Sequence, residues 1–214
     1  MTERTPMVIL GAGGHARAIL DIIRALAEFE IVGFIDPACE LGTRRHGVPI
    51  LATEDQLSEL VSSGHAFAVG VGHMMTSAPR ARIFTRLHAL SAHVPTLIAP
   101  TAYVSADATV GTGTQVMHGA IVNAGARVEQ GCILNSRSLV EHDARVGRGS
   151  HISTGAIVNG GAAVGARCLI GSSATVLQGR KITDDVIVGA GAVVIRDITS
   201  AGTYVGIPAR RVGQ

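Results

Sequence analysis

A short polar run stands out in a part of the chain that is otherwise rich in small and aliphatic residues. Residues 135–153 read NSRSLVEHDARVGRGSHIS, so Glu141, His142 and Asp143 are consecutive and His151 follows nine residues after His142. A neighbouring carboxylate can orient an imidazole and increase its basicity, which suits a general base. The run therefore indicates proton transfer at His142, and the alternative is an exposed acidic corner without a chemical role.

The chain has nine histidines, enough to raise the question of a metal site. His118 and His142 fall at the same position of the six-residue repeat described next, but four repeats apart, and His151 lies half a coil from His142. These three side chains are not expected to converge within one subunit, which leaves a subunit interface as the place where they could meet. We expect no metal, and a β-helix metalloenzyme is the alternative. Four other histidines are interpreted as surface residues: His46, His65, His88 and His93.

The residues around the polar run belong to a six-residue repeat. From Leu97 to Ile198 the chain divides into seventeen hexapeptides, such as LVEHDA and HISTGA, whose second residue is always Ile, Val or Leu. The sixth residue is Ala, Ser, Thr or Cys in fourteen of them, the exceptions being Arg180, Val186 and Ile198. This period fits neither an α-helix nor an alternating hairpin sheet. It predicts a parallel β-helix in which each hexapeptide forms one strand and one corner, with about 18 residues in a coil.

In such a β-helix the second residue of each hexapeptide points inward, and the small sixth residue lets the chain turn at the corner. A narrow interior explains why 47% of the residues are hydrophobic but only 3% are aromatic. Cys132 and Cys168 both take the sixth position, two coils apart, so we expect them about 9–10 Å from each other, too far for a disulfide. The Glu-His-Asp run takes the third to fifth positions, which face outward and leave the scaffold intact.

Residues 7–98 lack the repeat and alternate between strand and helix patterns. MVILGAGGHARAILDIIRAL reads as a buried strand, a glycine-rich turn and an amphipathic helix. EIVGFID, HAFAVGVG and HVPTLI read as further strands, and PRARIFTRLHAL reads as a helix. This order predicts a small parallel α/β sheet.

The glycine-rich turn matches a nucleotide-binding fingerprint. Gly11, Gly13 and Ala16 fit G-x-G-x-x-G/A between a strand and a helix, and Asp36 stands at the end of the next strand. Glycines allow a close backbone approach, and the helix N-terminus offers N–H groups to phosphate. We expect a nucleotide diphosphate or a similar anion here. A tight turn without a ligand is the alternative, and three or four strands are too few for a complete dinucleotide domain.

Composition and charge exclude several other functions. The formal net charge is +2, and only short basic pairs such as Arg44-Arg45 occur, so no nucleic-acid partner is expected. The N-terminus lacks the features of a secretory signal, and no apolar run approaches the roughly 18 residues of a membrane helix. We expect a cytoplasmic protein with no membrane partner.

Taken together, these motifs resemble one enzyme family. GAGGHA in a short α/β unit, NSRSLVEHD and GSHISTGA within hexapeptide repeats, and a closing YVGIPARRV are similar to the PglD/NeuD-type sugar acyltransferases. That family includes UDP-4-amino-sugar N-acetyltransferases of bacterial glycan synthesis and sialic-acid O-acetyltransferases. The resemblance implies a small Rossmann-like α/β N-terminal domain (1–98) followed by a left-handed parallel β-helix with a C-terminal tail (99–214). It also implies a homotrimer with active sites between adjacent β-helices, acetyl-CoA as co-substrate, direct attack on the thioester, and no metal.

The resemblance also assigns roles to residues. It makes His142 the catalytic base, oriented by Glu141. The residues expected to bind the nucleotide-sugar or sugar acceptor are Gly11, Gly13, Gly14, His15, Asp36, His73, Asn135 and His151. The residues expected to bind acetyl-CoA are Gly155, Gly160, Gly161 and Ala190, with Arg210 and Arg211 on its phosphates.

One segment departs from the family pattern. Where family members often carry G-N-N, which contacts the nucleotide base, this chain has His73 and Met74. The identity of the nucleotide therefore stays open. The leading hypothesis is N-acetylation of a nucleotide-linked 4-amino sugar. The alternatives are O-acetylation of sialic acid or another sugar hydroxyl, and a non-catalytic trimer that binds nucleotide sugars.

Overall fold

The chain forms two compact units. The computed structural model describes residues 4–73 and 76–213, so Met74 lies outside the described residues. The first unit takes in the described part of Met1–Gly72 together with Ala78–Pro100, and the second takes in the described part of His73–Ser77 and of Thr101–Gln214. None of the helices in the described residues is long and apolar enough to cross a membrane.

The first unit is a small α/β sheet. Its elements are β1 (Thr5–Leu10), α1 (Gly14–Leu26), β2 (Phe29–Ile35), β3 (Arg44–Arg45), β4 (Val48–Ala52), a 3₁₀ turn (Glu54–Gln56), α2 (Leu57–Ser62), β5 (Ala66–Val69), α3 (Ala78–Ala89) and β6 (Leu97–Ile98). Five of the strands form a sheet of order β3-β4-β2-β1-β5, parallel except for the β3–β4 pair. Helix α1 buries Ala16, Ile19, Leu20 and Ile23, a spacing of three and four residues that gives the helix one apolar face.

The predicted order of strand, glycine-rich turn, helix and strand is confirmed by β1, α1 and β2, and the predicted third strand and second helix correspond to β5 and α3. The segment between β2 and β5 was not predicted. It contains the β3–β4 hairpin, which turns at His46 and Gly47, both with positive φ, and the short helix α2. The hairpin extends the sheet through β4 and brings it to five strands.

The second unit is the left-handed parallel β-helix, built from two-residue strands. They are β7 (Tyr103–Val104), β8 (Thr109–Val110), β9 (Gln115–Val116), β10 (Ile121–Val122), β11 (Arg127–Val128), β12 (Ile133–Leu134), β13 (Leu139–Val140), β14 (Arg145–Val146), β15 (His151–Ile152), β16 (Ile157–Val158), β17 (Ala163–Val164), β18 (Leu169–Ile170), β19 (Thr175–Val176), β20 (Lys181–Ile182) and β22 (Val193–Val194), with the longer β21 (Val186–Val188) and β23 (Gly202–Val205) and the final β24 (Arg210–Arg211).

These strands form three flat faces. Face 1 has the order β22-β19-β16-β13-β10-β7, and face 2 has the order β20-β17-β14-β11-β8. Face 3 runs through β24-β23-β21-β18-β15-β12-β9. From β7 to β22 paired strand residues lie 18 positions apart, as Ile121 with Leu139 and Leu139 with Ile157, and the offset falls to 16 where β21 pairs with β23. The predicted coil of three hexapeptides is therefore confirmed, and the sequence position of a residue fixes its face and its coil.

The corners turn differently from the prediction. The turn falls at the fourth and fifth positions of each hexapeptide, and the sixth residue is buried, as Ala144 and Ala162 are at 0% exposure. In the fourteen hexapeptides from Thr109 to Ala192 the fifth residue has φ between 55° and 69°. Nine of these fifth residues are Gly, and the other five are Arg137, Asp143, Arg167, Ser173 and Asp185. The sixth residue is small because the interior narrows there, while the fifth residue makes the turn.

The two cysteines of the repeat are part of this interior. Cys132 and Cys168 are both buried and are free thiols. Each thiol donates to a carbonyl oxygen of the chain, Cys132 Sγ to Gly147 at 3.2 Å and Cys168 Sγ to Thr183 at 3.1 Å. Burial raises the pKa of the Cys168 thiol to about 11. Both cysteines therefore act as small core residues.

Candidate active site

His142 stands at the corner between faces 1 and 2, after β13 and before β14. Its side chain is 57% exposed, because the fourth position of a hexapeptide points away from the interior. The scaffold below is undisturbed, since Val140 and Ala144 on either side are fully buried. The fold thus presents the imidazole to solvent.

The carboxylate that contacts the imidazole is that of Asp143. Its Oδ2 lies 3.0 Å from His142 Nδ1. A carboxylate oxygen can only accept, so Nδ1 carries the proton in this contact and Nε2 is left as the free basic nitrogen. Asp143 holds this place with a φ of 59°, at a turn position where Gly is the usual residue.

Glu141 has a different partner from the one expected. Its Oε2 accepts the backbone N–H of His142 at 3.0 Å, so the expectation that Glu141 orients the ring is not what the structure shows. The backbone N–H of a fourth-position residue takes no part in the backbone hydrogen bonds between coils. Side chains accept from it at other corners too, as Glu129 Oε2 accepts the N–H of Arg148. The pKa of Glu141 lies below its usual value because the N–H of His142 and the side chain of Asn123 hydrogen-bond the carboxylate.

The ring of His142 lies over Gly160, one coil further along the same corner. A Cβ on residue 160 would lie 2.6 Å from His142 Nε2 and 2.7 Å from Cε1. The φ of Gly160 is not in the left-handed region, so the backbone does not require glycine here. The neighbouring Gly161 has a φ of 64°, and its N–H donates to the carbonyl of His142 at 2.9 Å.

A groove continues from this point along the same corner. It has a volume of about 510 Å³ and is lined by Asn159, Leu177, Gln178, Arg180 and Ile195. Leu177 and Ile195 are apolar but 39% and 40% exposed. A larger groove of about 950 Å³ lies on face 2, and the residues that line it include no His or Cys. The 510 Å³ groove combines two exposed apolar side chains with polar ones, and its residue Asn159 directly precedes Gly160 at the corner of His142.

A second cluster of polar residues consists of His73, Asn135 and His151, with His151 on face 3 and Asn135 at the corner between faces 3 and 1. Nδ1 of His151 donates to the carbonyl oxygen of His73 at 2.9 Å, and Nε2 of His151 lies 3.2 Å from Asn135 Nδ2. The carbonyl can only accept, which places the proton on Nδ1 and makes Nε2 the acceptor from Asn135. His151 is 9% exposed and His73 is 2% exposed. His151 therefore positions Asn135 and the backbone of His73 within the second unit.

Within one chain the expected site residues fall at two corners of the β-helix. Glu141, His142, Gly160 and Gly161 are at the corner between faces 1 and 2. Asn135, Gly155 and Ala190 follow strands of face 3 and are at the corner between faces 3 and 1, beside His151 on face 3. In the tail, Arg211 Nη2 donates to the carbonyl of Ala201, and Arg210 Nη1 donates to that of Ala209.

The glycine-rich turn of the first unit is shaped by neighbouring groups. Gly11 has a φ of 95°, and a Cβ on it would lie 2.6 Å from Val71 Cγ2, so glycine is required. Gly13 and Gly14 have no other atom within 4 Å of a Cβ position and border open space at the N-terminus of α1. No acidic residue stands in the first turn of α1, which leaves its N–H groups favourable to an anion.

Asp36 and His46 hold this turn. Asp36 Oδ2 accepts the N–H of Ala12 at 2.7 Å, and its Oδ1 accepts the N–H of Ala38 at 2.9 Å. His46 Nε2 lies 3.1 Å from the carbonyl oxygen of Ala12. His46 is exposed, as interpreted from the sequence, but that interpretation missed its contact with the glycine-rich turn. His15 is half-buried in the first turn of α1, and its expected role stays a prediction.

The structure offers no metal-binding group in residues 4–73 and 76–213, where no three His, Cys, Asp or Glu side chains are arranged to hold an ion. His118, the third histidine weighed for such a site, lies with Nδ1 2.8 Å from the hydroxyl oxygen of Thr101.

Comparison with known proteins identifies relatives along the whole chain. The PglD N-terminal domain family matches residues 6–87. PerB from Caulobacter crescentus, solved with CoA and GDP-perosamine, is 29% identical with a TM-score of 0.90, covering 100% of this chain and 99% of that one. The acetyltransferase domain of PglB from Neisseria gonorrhoeae, solved with acetyl coenzyme A, is 31% identical with a TM-score of 0.91, covering 98% and 100%.

The chain belongs to the PglD/NeuD-type sugar acyltransferase family. It is an acetyltransferase, as the resemblance in its motifs implied. WeeI from Acinetobacter baumannii, at 21% identity and a TM-score of 0.87 over 97% of this chain and 100% of that one, shares the fold.

Sequence reasoning about this PglD/NeuD-type chain missed three features of the corner at His142. They are the contact of Asp143 with the ring, the position of Gly160 under it, and the groove beyond. The position of Gly160 could have been predicted from the 18-residue coil, because residue 160 follows residue 142 by one coil. The contact of Asp143 was indicated by the fifth position of the hexapeptides, where Gly is usual and Asp143 is an exception.

Proposed function

We propose that this chain transfers the acetyl group of acetyl-CoA to the amine of a nucleotide-linked 4-amino sugar, with His142 as general base. The observation that carries the proposal is the contact between His142 Nδ1 and Asp143 Oδ2 at an exposed corner, which leaves Nε2 free to accept a proton. A relative named perosamine N-acetyltransferase, solved as a variant with CoA and GDP-perosamine, is 30% identical over the whole chain and supports N-acetylation.

The reaction balances with one base and one leaving group. The acceptor amine nitrogen attacks the thioester carbonyl carbon, a C–N bond forms and the C–S bond breaks. Nε2 of His142 takes the proton that the amine loses, and the departing CoA thiolate takes up a proton to become the thiol. Asp143 stabilises the imidazolium that forms, in the manner of a carboxylate beside a catalytic histidine. No residue of the chain has to become acetylated.

The developing negative charge on the carbonyl oxygen needs a donor. Among the described residues, none accepts a hydrogen bond from the Gly160 N–H. Gly160 is also the residue against which Nε2 lies, so its N–H stands close to where the proton moves. We therefore assign the oxyanion contact to the Gly160 N–H.

A homotrimer would complete the site. The outward first positions of face 1 are mostly apolar and partly exposed, in contrast to Arg127, Arg145 and Lys181 on face 2. The face 1 residues are Tyr103, Ile121, Leu139, Ile157, Thr175 and Val193. A three-fold axis beside face 1 buries this column and brings the corner between faces 1 and 2 of one subunit next to the corner between faces 3 and 1 of its neighbour.

In that arrangement the two groups of site residues meet across the interface. His142 of one subunit would stand opposite Asn135, Gly155 and Ala190 of the next. The groove lined by Asn159, Leu177 and Ile195 would take the pantetheine arm of acetyl-CoA, and Arg210 and Arg211 would meet its phosphates. The acceptor's nucleotide would lie on Gly13 and Gly14 at the N-terminus of α1, in a turn held by Gly11 and Asp36, with His15 and His73 as further substrate contacts. The three free cysteines suit a reducing cytoplasm.

The experiment is a thiol-release assay with acetyl-CoA and a panel of UDP-, dTDP- and GDP-linked 4-amino sugars plus free sialic acid. We expect release with at least one nucleotide-linked amine and an N-acetylated product by mass spectrometry and NMR. In His142→Ala, kcat should fall by about 10²–10⁴-fold with the trimer intact. Undiminished turnover by this variant would remove His142 from the mechanism.

The same panel separates the alternatives. Release with sialic acid and not with any amine would indicate O-acetylation. Binding of nucleotide sugars without thiol release from any acceptor would indicate the non-catalytic trimer. The 30% identity to a named N-acetyltransferase over the whole chain favours the amine.

A further inference from the structure

We infer that Gly160 positions the catalytic base: its missing side chain leaves the space in which the imidazole of His142 lies. This inference rests on the proposed function, in which His142 is the base. It adds a role for Gly160 that is separate from contact with acetyl-CoA.

The fold does not require glycine at residue 160. Residue 160 is the fourth position of its hexapeptide, and alanine takes that position at Ala124, Ala166 and Ala190. The backbone at Gly160 is outside the left-handed region where glycine is favoured. Gly161, the next residue, is the one that makes the turn, with a φ of 64°.

The space that a side chain would occupy belongs to the His142 ring. A Cβ on residue 160 would lie 2.6 Å from Nε2, 2.7 Å from Cε1 and 3.2 Å from Cδ2. No other atom is among the three nearest to that Cβ position. Gly160 is also the one buried residue among the fourth positions of the seventeen hexapeptides, all of which the structure describes. The ring therefore covers Gly160.

Two contacts then fix the ring. Asp143 Oδ2 holds Nδ1 at 3.0 Å from the side, and Gly160 supports the edge that carries Nε2. A methyl group at residue 160 would have to stand about 3.5–4 Å from the ring atoms, so it would push Nε2 outward by about 1 Å. A displacement of that size can lower a rate by about 100-fold. Because His142 is exposed, the ring can move without disturbing the core, and the fold should tolerate the change.

Gly160→Ala tests this inference, because alanine keeps the backbone N–H and adds only the methyl group. We expect kcat to fall by about 10- to 100-fold with KM for acetyl-CoA changed by no more than about threefold. In the protein without ligands, the imidazole ¹⁵N and ¹³C resonances of His142 should shift and the signal of the Nδ1–H···Asp143 hydrogen bond should weaken. Ala166→Gly is the matched control, since it exchanges the same two residues at the same position of a different corner, and it should alter neither readout.

A double variant covers the case in which Gly160→Ala does not fold. Without the ring the methyl group has room, so His142→Ala/Gly160→Ala should fold as well as His142→Ala and show the same residual turnover. Failure of the double variant to fold would overturn the inference.

The other outcomes are equally decisive. A raised KM for acetyl-CoA with unmoved His142 resonances would make Gly160 a ligand surface only and would overturn the positioning role. Unchanged kcat in Gly160→Ala would overturn it as well. If the wild-type protein acetylates no acceptor, the proposed function fails, but the resonances of His142 still report whether Gly160 positions the ring.

Discussion

Arg167 and Asp185 occupy the same fifth position in successive coils, and their side chains are joined by two hydrogen bonds, from Arg167 Nε to Asp185 Oδ1 at 2.7 Å and from Nη2 to Oδ2 at 2.6 Å. Both residues have positive φ, 55° and 58°, at a position where Gly is usual. The ion pair therefore joins two corners whose backbone conformation is unfavourable for side chains.

The first prediction concerns the pH dependence of this pair. The hydrogen bonds from Arg167 hold the pKa of the Asp185 carboxyl below its usual range. Because the folded pKa is the lower one, the pair stabilises the fold above the ordinary aspartate pKa and the contribution is lost as pH falls through the folded value. Asp185→Asn should lower the free energy of unfolding by about 0.5–1 kcal/mol near neutral pH, since both side chains are partly exposed. Denaturant unfolding at neutral and acidic pH measures the difference, which should vanish in acid.

High salt provides the control for this prediction. About 1 M NaCl screens exposed charges and should shrink the difference between wild type and Asp185→Asn at neutral pH. A difference that is independent of both pH and salt would contradict an electrostatic origin.

The second prediction separates the two carboxylates that flank His142. Asp143→Asn removes the charge beside Nδ1 and should lower kcat by about tenfold or more, because a neutral amide stabilises the imidazolium less. Glu141→Gln removes the charge of a side chain that is bonded to the His142 backbone N–H and to Asn123 and does not contact the ring, so it should cause a smaller loss. Steady-state kinetics of the two variants gives the comparison. A larger loss in Glu141→Gln would return the orienting role to Glu141.

The third prediction concerns the backbone of Asp143. Asp143→Gly relieves a left-handed conformation but removes the carboxylate from the ring. The variant should be as stable as wild type or up to about 1 kcal/mol more stable. The free energy gained by removing a side chain from a left-handed backbone conformation should slightly exceed the cost of the extra conformational entropy that glycine gives the unfolded chain. Its kcat should fall as in Asp143→Asn. Thermal unfolding and turnover measured on the same samples show whether stability and activity move in opposite directions.

Ser173→Gly is the matched control for Asp143→Gly. Ser173 takes the same fifth position with a φ of 57° but lies at the corner between faces 3 and 1 and does not contact His142. It should show the same change in stability, and only its stability is compared, because Ser173 lies one coil after Gly155 on the surface proposed to bind acetyl-CoA. Destabilisation in both variants would mean that the left-handed conformation costs these corners little.

The fourth prediction concerns the thiols. With its pKa raised to about 11 by burial, Cys168 remains a thiol at the pH of ordinary alkylation, and the thiolate is the reactive form. Cys132 is equally buried, whereas Cys39 is half-buried. Iodoacetamide should therefore label Cys39 first in the native protein, and label Cys132 and Cys168 only in denaturant. Peptide mass spectrometry locates the label, and fast native labelling of Cys168 would contradict the described packing.

The β-helix is predictable almost residue by residue because one physical requirement repeats. Every hexapeptide needs an inward aliphatic residue, so the repeat alone assigns Val122, Val140 and Val158 to the core, where they are fully buried, and His142 to an outward position. Prediction is less successful where one contact has several possible partners. Glu141 and Asp143 are equally close to His142 along the chain, and only the turn geometry decides which one reaches the ring.

The first unit shows the same limit. The strand, glycine-rich turn and helix at Gly11 were predicted because their pattern is local. The β3–β4 hairpin was not, since Arg44 and Arg45 are exposed and polar and give no hydrophobic alternation. The contacts of Asp36 with Ala12 and Ala38 also depend on the relative position of two segments, which composition and spacing do not specify.

The coil of 18 residues also fixes the distance along the β-helix between residues of the same corner. The fourth-position residues on the corner of His142, such as Gly160 and Gln178, stand at multiples of about 4.8 Å from it along the β-helix. Inserting or deleting a whole coil between β17 and β22 would lengthen or shorten the groove lined by Leu177 and Ile195 without moving His142 or Gly160, whereas a change of six residues between β13 and β16 would carry Gly160 to another corner. Under the proposed function, the length of surface available to an extended acyl donor would be set by the number of coils and would change only in steps of one coil.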